Sequence, residues 1–202
     1  MIVKKITKTM NKKWPVKVIL EKVNKKILRI KIPDKRKSKS VFVRNHGCSL
    51  EAISIALQMN GIEKTPEQIH KWCQGHLAGY NGSKVTIFGA AKVINGITGK
   101  KVALWHANTG KNNKKVRQNI NRALKQGKVV LFEQKDPIHT VCFLGFKNGK
   151  LQIATYGGVR NGTVGGQVKK KALHGKAGAA HQDNYFRDSS GAAGYVTVKG
   201  ES

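Results

Sequence analysis

Cys48 stands in Asn45-His46-Gly47-Cys48-Ser49-Leu50-Glu51-Ala52, at the expected first turn of a strongly apolar helix. Unpaired backbone N–H groups and the positive end of the helix dipole at such a position favour a thiolate over a thiol, so Cys48 is a candidate nucleophile. About ninety residues on, His139 opens the apolar run Thr140-Val141-Cys142-Phe143-Leu144-Gly145, just after the turn signal Asp136-Pro137. Acyl transfer by a thiol needs a sulfur aimed at a carbonyl carbon, an imidazole to hold and return the proton, and donors for the oxyanion. Cys48 offers the sulfur and, through its own N–H, one donor; His139 offers the imidazole. Each also has a plainer reading, Cys48 as a small buried hydrophobe at the start of the helix and His139 as a satisfied strand-end histidine. Cys142, three residues along the same strand, faces away from His139 and reads as core. Asp136 reads as a turn residue rather than as the group that orients a base.

The elements that must carry these residues follow from periodicity. Leu50, Ile53, Ala56 and Leu57 mark one helical face, and Ala52, Ile55 and Met59 widen it until the helix is apolar nearly all round, which places it mid-fold. Asn60-Gly61 ends it, and Thr65-Pro66-Glu67-Gln68 starts a second helix with a capping box, expected to run to about Cys73. A third helix is expected over 85–94, closed by Asn95-Gly96, then a strand over 101–105 and a polar-faced helix over 116–125 stopped by Gly127. Strands follow over 128–134, 139–147 and 150–156, the last two joined by Asn148-Gly149, a strong hairpin signal. Residues 157–194 are rich in glycine, alanine and lysine and read as long loops, with a final edge strand at Tyr195-Val196-Thr197-Val198. Helices first and an antiparallel sheet afterwards define an α+β architecture. Ahead of it, residues 1–40 read as a basic extension, a hairpin followed by the solvated linker 34–40, leaving 41–202 as the main domain.

The formal net charge of +29 on 202 residues implies contact with a polyanion or an acidic partner, or else simply a solvated lysine-coated surface, and says nothing of fold. Trp14, Trp72 and Trp105 are scattered, so the basic residues, including Lys169-Lys170-Lys171, form no base-stacking array and could grip phosphates only without sequence preference. Three cysteines, Cys48, Cys73 and Cys142, are too few for a disulfide framework and point to a reducing, cytoplasmic setting, with secretion or excision from a longer chain left open. No apolar run approaches the length of a membrane span. His70, Cys73 and His76, with His46 and Cys48 upstream, could supply nitrogen and sulfur to zinc, but their spacing fits no common zinc module, and no cofactor is implied. His174 and His181 sit in the glycine-rich tail, and Gly165-Gly166 lacks the context of a phosphate cradle.

A helix-borne cysteine before a strand-borne histidine is the order of papain-like enzymes. Gly47-Cys48-Ser49-Leu50, Met59-Asn60-Gly61-Ile62, Thr65-Pro66-Glu67-Gln68-Ile69, Gln126-Gly127-Lys128-Val129-Val130 and the run from His139 to Phe146 together resemble the papain-like cysteine peptidases related to the leader-cleaving domain of bacteriocin exporters. The likeness covers roughly residues 41 to 157. It implies N-terminal helices packed on a C-terminal antiparallel sheet and hydrolysis of a peptide bond through a Cys48 thioester with His139 as general base. The implied substrate is a peptide or protein, by analogy a leader ending in small residues. The family's acidic or amide third member falls one strand later, where Leu151-Gln152-Ile153-Ala154-Thr155-Tyr156-Gly157 places Thr155. A threonine hydroxyl can accept a hydrogen bond from imidazole but supplies no countercharge. Phe42 stands where the family carries an oxyanion-donating glutamine, and Asn45 is the nearest side-chain amide that could replace it. Those departures sustain an alternative, a catalytically inactive papain-like binding domain that uses its charge to hold a polyanion or acidic partner. An enzyme should be alkylated at Cys48 at mildly acidic pH, whereas a binder should lose its partner steeply with salt.

Overall fold

The computed structural model describes residues 17–23, 26–78, 80, 82, 84–107, 113–134, 139–162 and 194–200. The readings of Trp14, Asp136, Gly165-Gly166, the lysines at 169–171, His174 and His181 fall outside them. The chain runs β1 (Lys17–Val23), β2 (Lys26–Ile32), α1 (Val41–His46), α2 (Cys48–Leu57), α3 (Pro66–His76), α4 (Ile87–Thr98), β3 (Ala103–Ala107), α5 (Asn113–Lys125), β4 (Val129–Gln134), β5 (His139–Lys147), β6 (Lys150–Thr155), β7 (Gly158–Gly162) and β8 (Gly194–Val198). Strands β3 to β8 form one sheet in the order β3-β8-β4-β5-β6-β7, with every pair antiparallel, and β1 pairs with β2 alone. The architecture is α+β, with the early helices packed on this six-stranded sheet.

Every residue of α2 is buried, the outcome expected of a helix apolar on all sides. It packs on β4, β5 and β6 and is covered in turn by α1, α3, α4 and β2. The sheet's two faces divide its apolar residues by strand alternation. Val129, Leu131, Cys142, Leu144, Ala154, Val196 and Val198 join the core around α2 and α4, while Val130, Phe132, Val141, Phe143, Leu151, Ile153 and Tyr195 pack under Ile120, Ala123 and Leu124 of α5. Asn148 and Gly149, at φ 51° and 72°, make the tight turn that their sequence signals between β5 and β6.

Several boundaries differ from the expectations. Helix α3 continues through Gly75 to His76, and α4 passes through Asn95-Gly96 to end at Gly99, whose φ is 66°. Asn95 does not stop the helix because its side chain is used elsewhere: Oδ1 accepts from the N–H groups of Val102 and Ala103 at 2.9 and 2.8 Å, and Nδ2 donates to the Ala103 carbonyl. Gly96 has a packing role, since a Cβ there would lie 2.5 Å from the Trp72 ring. Strand β8 is not an edge strand but sits between β3 and β4, and β7 is a strand inside the stretch read as loop. Nor is 34–40 a solvated linker. Asp34, Lys35 and Ser38 are buried, and Ile30 and Ile32 just before them are wholly enclosed in the main core. The two charged groups buried here each have a partner, Asp34 in Arg36 and Lys35 in the carbonyls of Arg44 and Asn45, while Arg36, Lys37 and Lys39 stay exposed.

Candidate active site

Cys48 is the first residue of α2, and Gly47 is the joint between α1 and α2. A Cβ at Gly47 would run into the carbonyl oxygen of Val43, so the sharp joint that sets the direction of Cys48 requires the smallest side chain. His139 opens β5 at the end of the sheet where α2 begins. The next residue on each element makes the connection: Ser49 Oγ and Thr140 Oγ1 lie 3.0 Å apart, both buried. Cys48 and His139 thus flank a single buried contact between α2 and β5. Both are largely enclosed, Cys48 at 7% and His139 at 2% exposure.

The imidazole of His139 is held on two sides. Nε2 lies 3.1 Å from Thr155 Oγ1, and Nδ1 lies 3.4 Å from the hydroxyl of Tyr156, whose ring also stacks on the imidazole at 4.9 Å between centroids, 15° from parallel. Tyr156 follows the end of β6 with a φ of 47°, a region rarely taken by an aromatic residue. Burial first, and then negative charge at Cys48, push its phenol above the ordinary range.

Charged groups from two other parts of the chain surround Tyr156. Arg36 pairs with Asp34 through two 2.8 Å bonds, donates to the Tyr156 carbonyl at 3.2 Å and places its guanidinium 4.9 Å from the Tyr156 ring centroid. Lys35 Nζ lies over the same ring at 5.7 Å and caps the end of α1 through the carbonyls of Arg44 and Asn45. Burial opposes ionisation of Asp34, but pairing with Arg36 outweighs it and holds the carboxyl below its usual range. Glu51, one turn along α2 from Cys48, is the converse. Burial, reinforced by the charge of Asp34, raises its carboxyl to about 8, so it is mostly protonated at neutral pH. Its Oε1 faces the N–H of Gly157 at 3.4 Å, which also donates to the Pro33 carbonyl at 2.9 Å, while Oε2 has no partner among the described residues.

Asn45 sits exposed on the last turn of α1, three residues before Cys48. Phe42 stacks on His70 at 4.4 Å, and His70 meets the Tyr80 hydroxyl at 3.0 Å, while His76 turns back to the Trp72 carbonyl and Cys73 is core. Burial raises the Cys73 thiol to about 11 and the Cys142 thiol further still. Among the described residues no group of three histidine, cysteine, aspartate or glutamate side chains could hold a metal, and no helix is long and apolar enough to cross a membrane. Tyr156 and Glu51 were not singled out from sequence. An acid on a helix otherwise apolar all round is the one signal that could have marked Glu51, whereas the role of Tyr156 depends on a backbone turn that no residue pattern announces.

No family model and no curated protein sequence matches this chain. Among solved structures it is similar to the crystal structure of a presumed C39-like peptidase from Bacillus anthracis, with 10% sequence identity, a TM-score of 0.46, and coverage of 78% of this chain and 90% of that one.

Proposed function

We propose that this protein is a papain-like cysteine peptidase in which Cys48 is the nucleophile and His139 the general base and acid. The observation that supports this most is the His139 imidazole itself. It is held by Thr155 on one nitrogen and sits one residue from the buried contact that ties β5 to the start of α2. In the proposed reaction the Cys48 proton passes to the imidazole and the sulfur attacks the carbonyl carbon of a peptide bond. The imidazole then protonates the departing amine, leaving a thioester that water hydrolyses with His139 again taking the proton. Oxyanion donors would be the Cys48 N–H and the side-chain amide of Asn45. Thr155 would stand third, orienting the imidazole without balancing its charge. The sequence resemblance makes a peptide with small residues before the scissile bond the first substrate to try.

The test is chemical. Cys48→Ala should abolish peptide hydrolysis and labelling by electrophilic peptide probes, while Cys73 and Cys142, both fully buried, stay unlabelled in the folded protein. Full activity in that variant would end the proposal. The inactive binding-domain reading is favoured by one specific observation, the neutral hydroxyl of Thr155 in place of a carboxylate or amide. It is supported if the wild type hydrolyses no peptide and binds an anionic polymer such as heparin with an affinity that falls steeply as salt rises.

A further inference from the structure

We propose that Tyr156 is a positioning residue for His139, and that the Asp34–Arg36 pair, upstream of every helix of the main domain, is what holds Tyr156 in place. The proposal rests on the peptidase reading above and adds to it a second group that fixes the imidazole, on the nitrogen opposite the one Thr155 meets. Thr155 restrains only Nε2. Tyr156 restrains the ring plane by stacking, and its hydroxyl meets Nδ1 at 3.4 Å. With the phenol donating to Nδ1, the lone pair is on that nitrogen and the N–H is on Nε2, directed at Thr155. That is the tautomer of a base that takes a proton at Nδ1, with the phenol O–H turning aside to yield that lone pair when the thiol proton arrives.

A side chain can hold another only if it is itself held. Tyr156 has a φ of 47°, costly for a residue with a Cβ, so its conformation persists because the surroundings impose it. Those surroundings are visible at every point of the turn. Arg36 binds the Tyr156 carbonyl and lies over its ring; Asp34 fixes both ends of the Arg36 fork; and the N–H of Gly157 is directed at Glu51 and Pro33. Gly157 completes the clamp, because a Cβ there would come 2.9 Å from that of Asp34. A bidentate, ring-stacked arginine of this kind cannot be replaced by lysine without loss.

The experiment compares wild type, Tyr156→Phe, Tyr156→Gly and Arg36→Gln for the rate and pH profile of Cys48 alkylation by iodoacetamide, for peptide hydrolysis and for thermal unfolding. Tyr156→Gly suits a positive φ, so it should fold while lacking the clamp. Expected is a graded loss, with Tyr156→Phe, which keeps the stack, about tenfold slower in kcat than wild type, as for one lost hydrogen bond. Tyr156→Gly and Arg36→Gln should be slower still, and all three alkylation profiles should be displaced from wild type. A Tyr156→Phe variant as fast as wild type or faster, with an unmoved profile, overturns the inference, since the phenol would then be neutral or an obstruction. A uniform loss that follows only the melting temperature, with profiles unchanged, overturns it too. If the wild type itself shows the profile of an ordinary thiol and no hydrolysis, the peptidase reading has failed and this inference falls with it.

Discussion

Glu51 is a carboxyl group shut away from water within one helical turn of the candidate nucleophile, and its titration should be visible in the stability of the whole protein. Its folded value is raised to about 8 from an ordinary 4.5, so between those limits the folded chain keeps a proton that the unfolded chain has released. The contribution of Glu51 to stability is therefore greatest below about pH 4.5, falls by up to about 1.4 kcal/mol per pH unit across the window, and levels off above pH 8. Glu51→Gln, which keeps the shape and the acceptor facing Gly157, should flatten that slope. Urea midpoints at pH 5 and pH 8.5 measure it, and equal slopes in wild type and variant would show that Glu51 is not buried as described. Asp34 does not blur the comparison, because its lowered carboxyl sheds stability only as pH falls below its ordinary range. The sequence revealed the parts of the site that depend on local pattern. Cys48 was legible as a candidate from a glycine, a small polar residue and an apolar helix, whereas Thr155 entered only through the family resemblance; its hydroxyl lies 3.1 Å from His139 Nε2. Arg36 and Tyr156, with Asp34 beside them, come together across a sequence separation of 120 residues, and no local pattern encodes such an encounter.

Among the elements, α1 and α2 meet at a joint whose geometry depends on Gly47. Gly47→Ala would force the new methyl against the Val43 carbonyl, and because that atom belongs to the backbone, the helices must shift. The expected result is a loss of about 1–3 kcal/mol, the usual cost of overpacking, together with slower labelling of Cys48. Denaturation curves and probe kinetics on the same sample check both, and unchanged labelling would mean the joint does not aim the sulfur. The element pattern was legible where it is local. Thr65 and Gln68 form the capping box that their spacing announced, and Asn148-Gly149 turns as such pairs do. It failed where tertiary contacts override punctuation, as at Asn95-Gly96, where helix-breaking residues are spent on bonds to β3 and contact with Trp72. The strand β7, Gly-Val-Arg-Asn-Gly, exists because β6 offers it an edge rather than because its composition favours extension.

At the scale of the molecule, the basic N-terminal segment has stronger ties to the rest than its composition suggests. Ile30 and Ile32 are completely enclosed, and the backbone of Lys31 bonds both ways with the side chain of Gln58, just past the C-terminal end of α2. Removing residues 1–40 should therefore cost about 3–6 kcal/mol from the two isoleucines alone, a large share of a typical domain's stability. It would also take away Asp34 and Arg36. Calorimetry of the shortened chain decides this, and an unchanged melting temperature would restore the picture of a detachable extension.

The place of β8 has another consequence, for synthesis. Strands β3 and β4 both pair with β8 and not with each other, so the middle of the sheet stays open until residue 198 has left the ribosome. Until then the nascent polypeptide carries two hydrogen-bonding edges lined by Val129, Leu131 and Ala103 with nothing between them. Closing that gap over so long a stretch of chain is slow for any protein. During that interval chaperones have their best purchase on the molecule, and a premature stop codon anywhere in the glycine-rich stretch would leave a product that aggregates rather than one that merely lacks a tail.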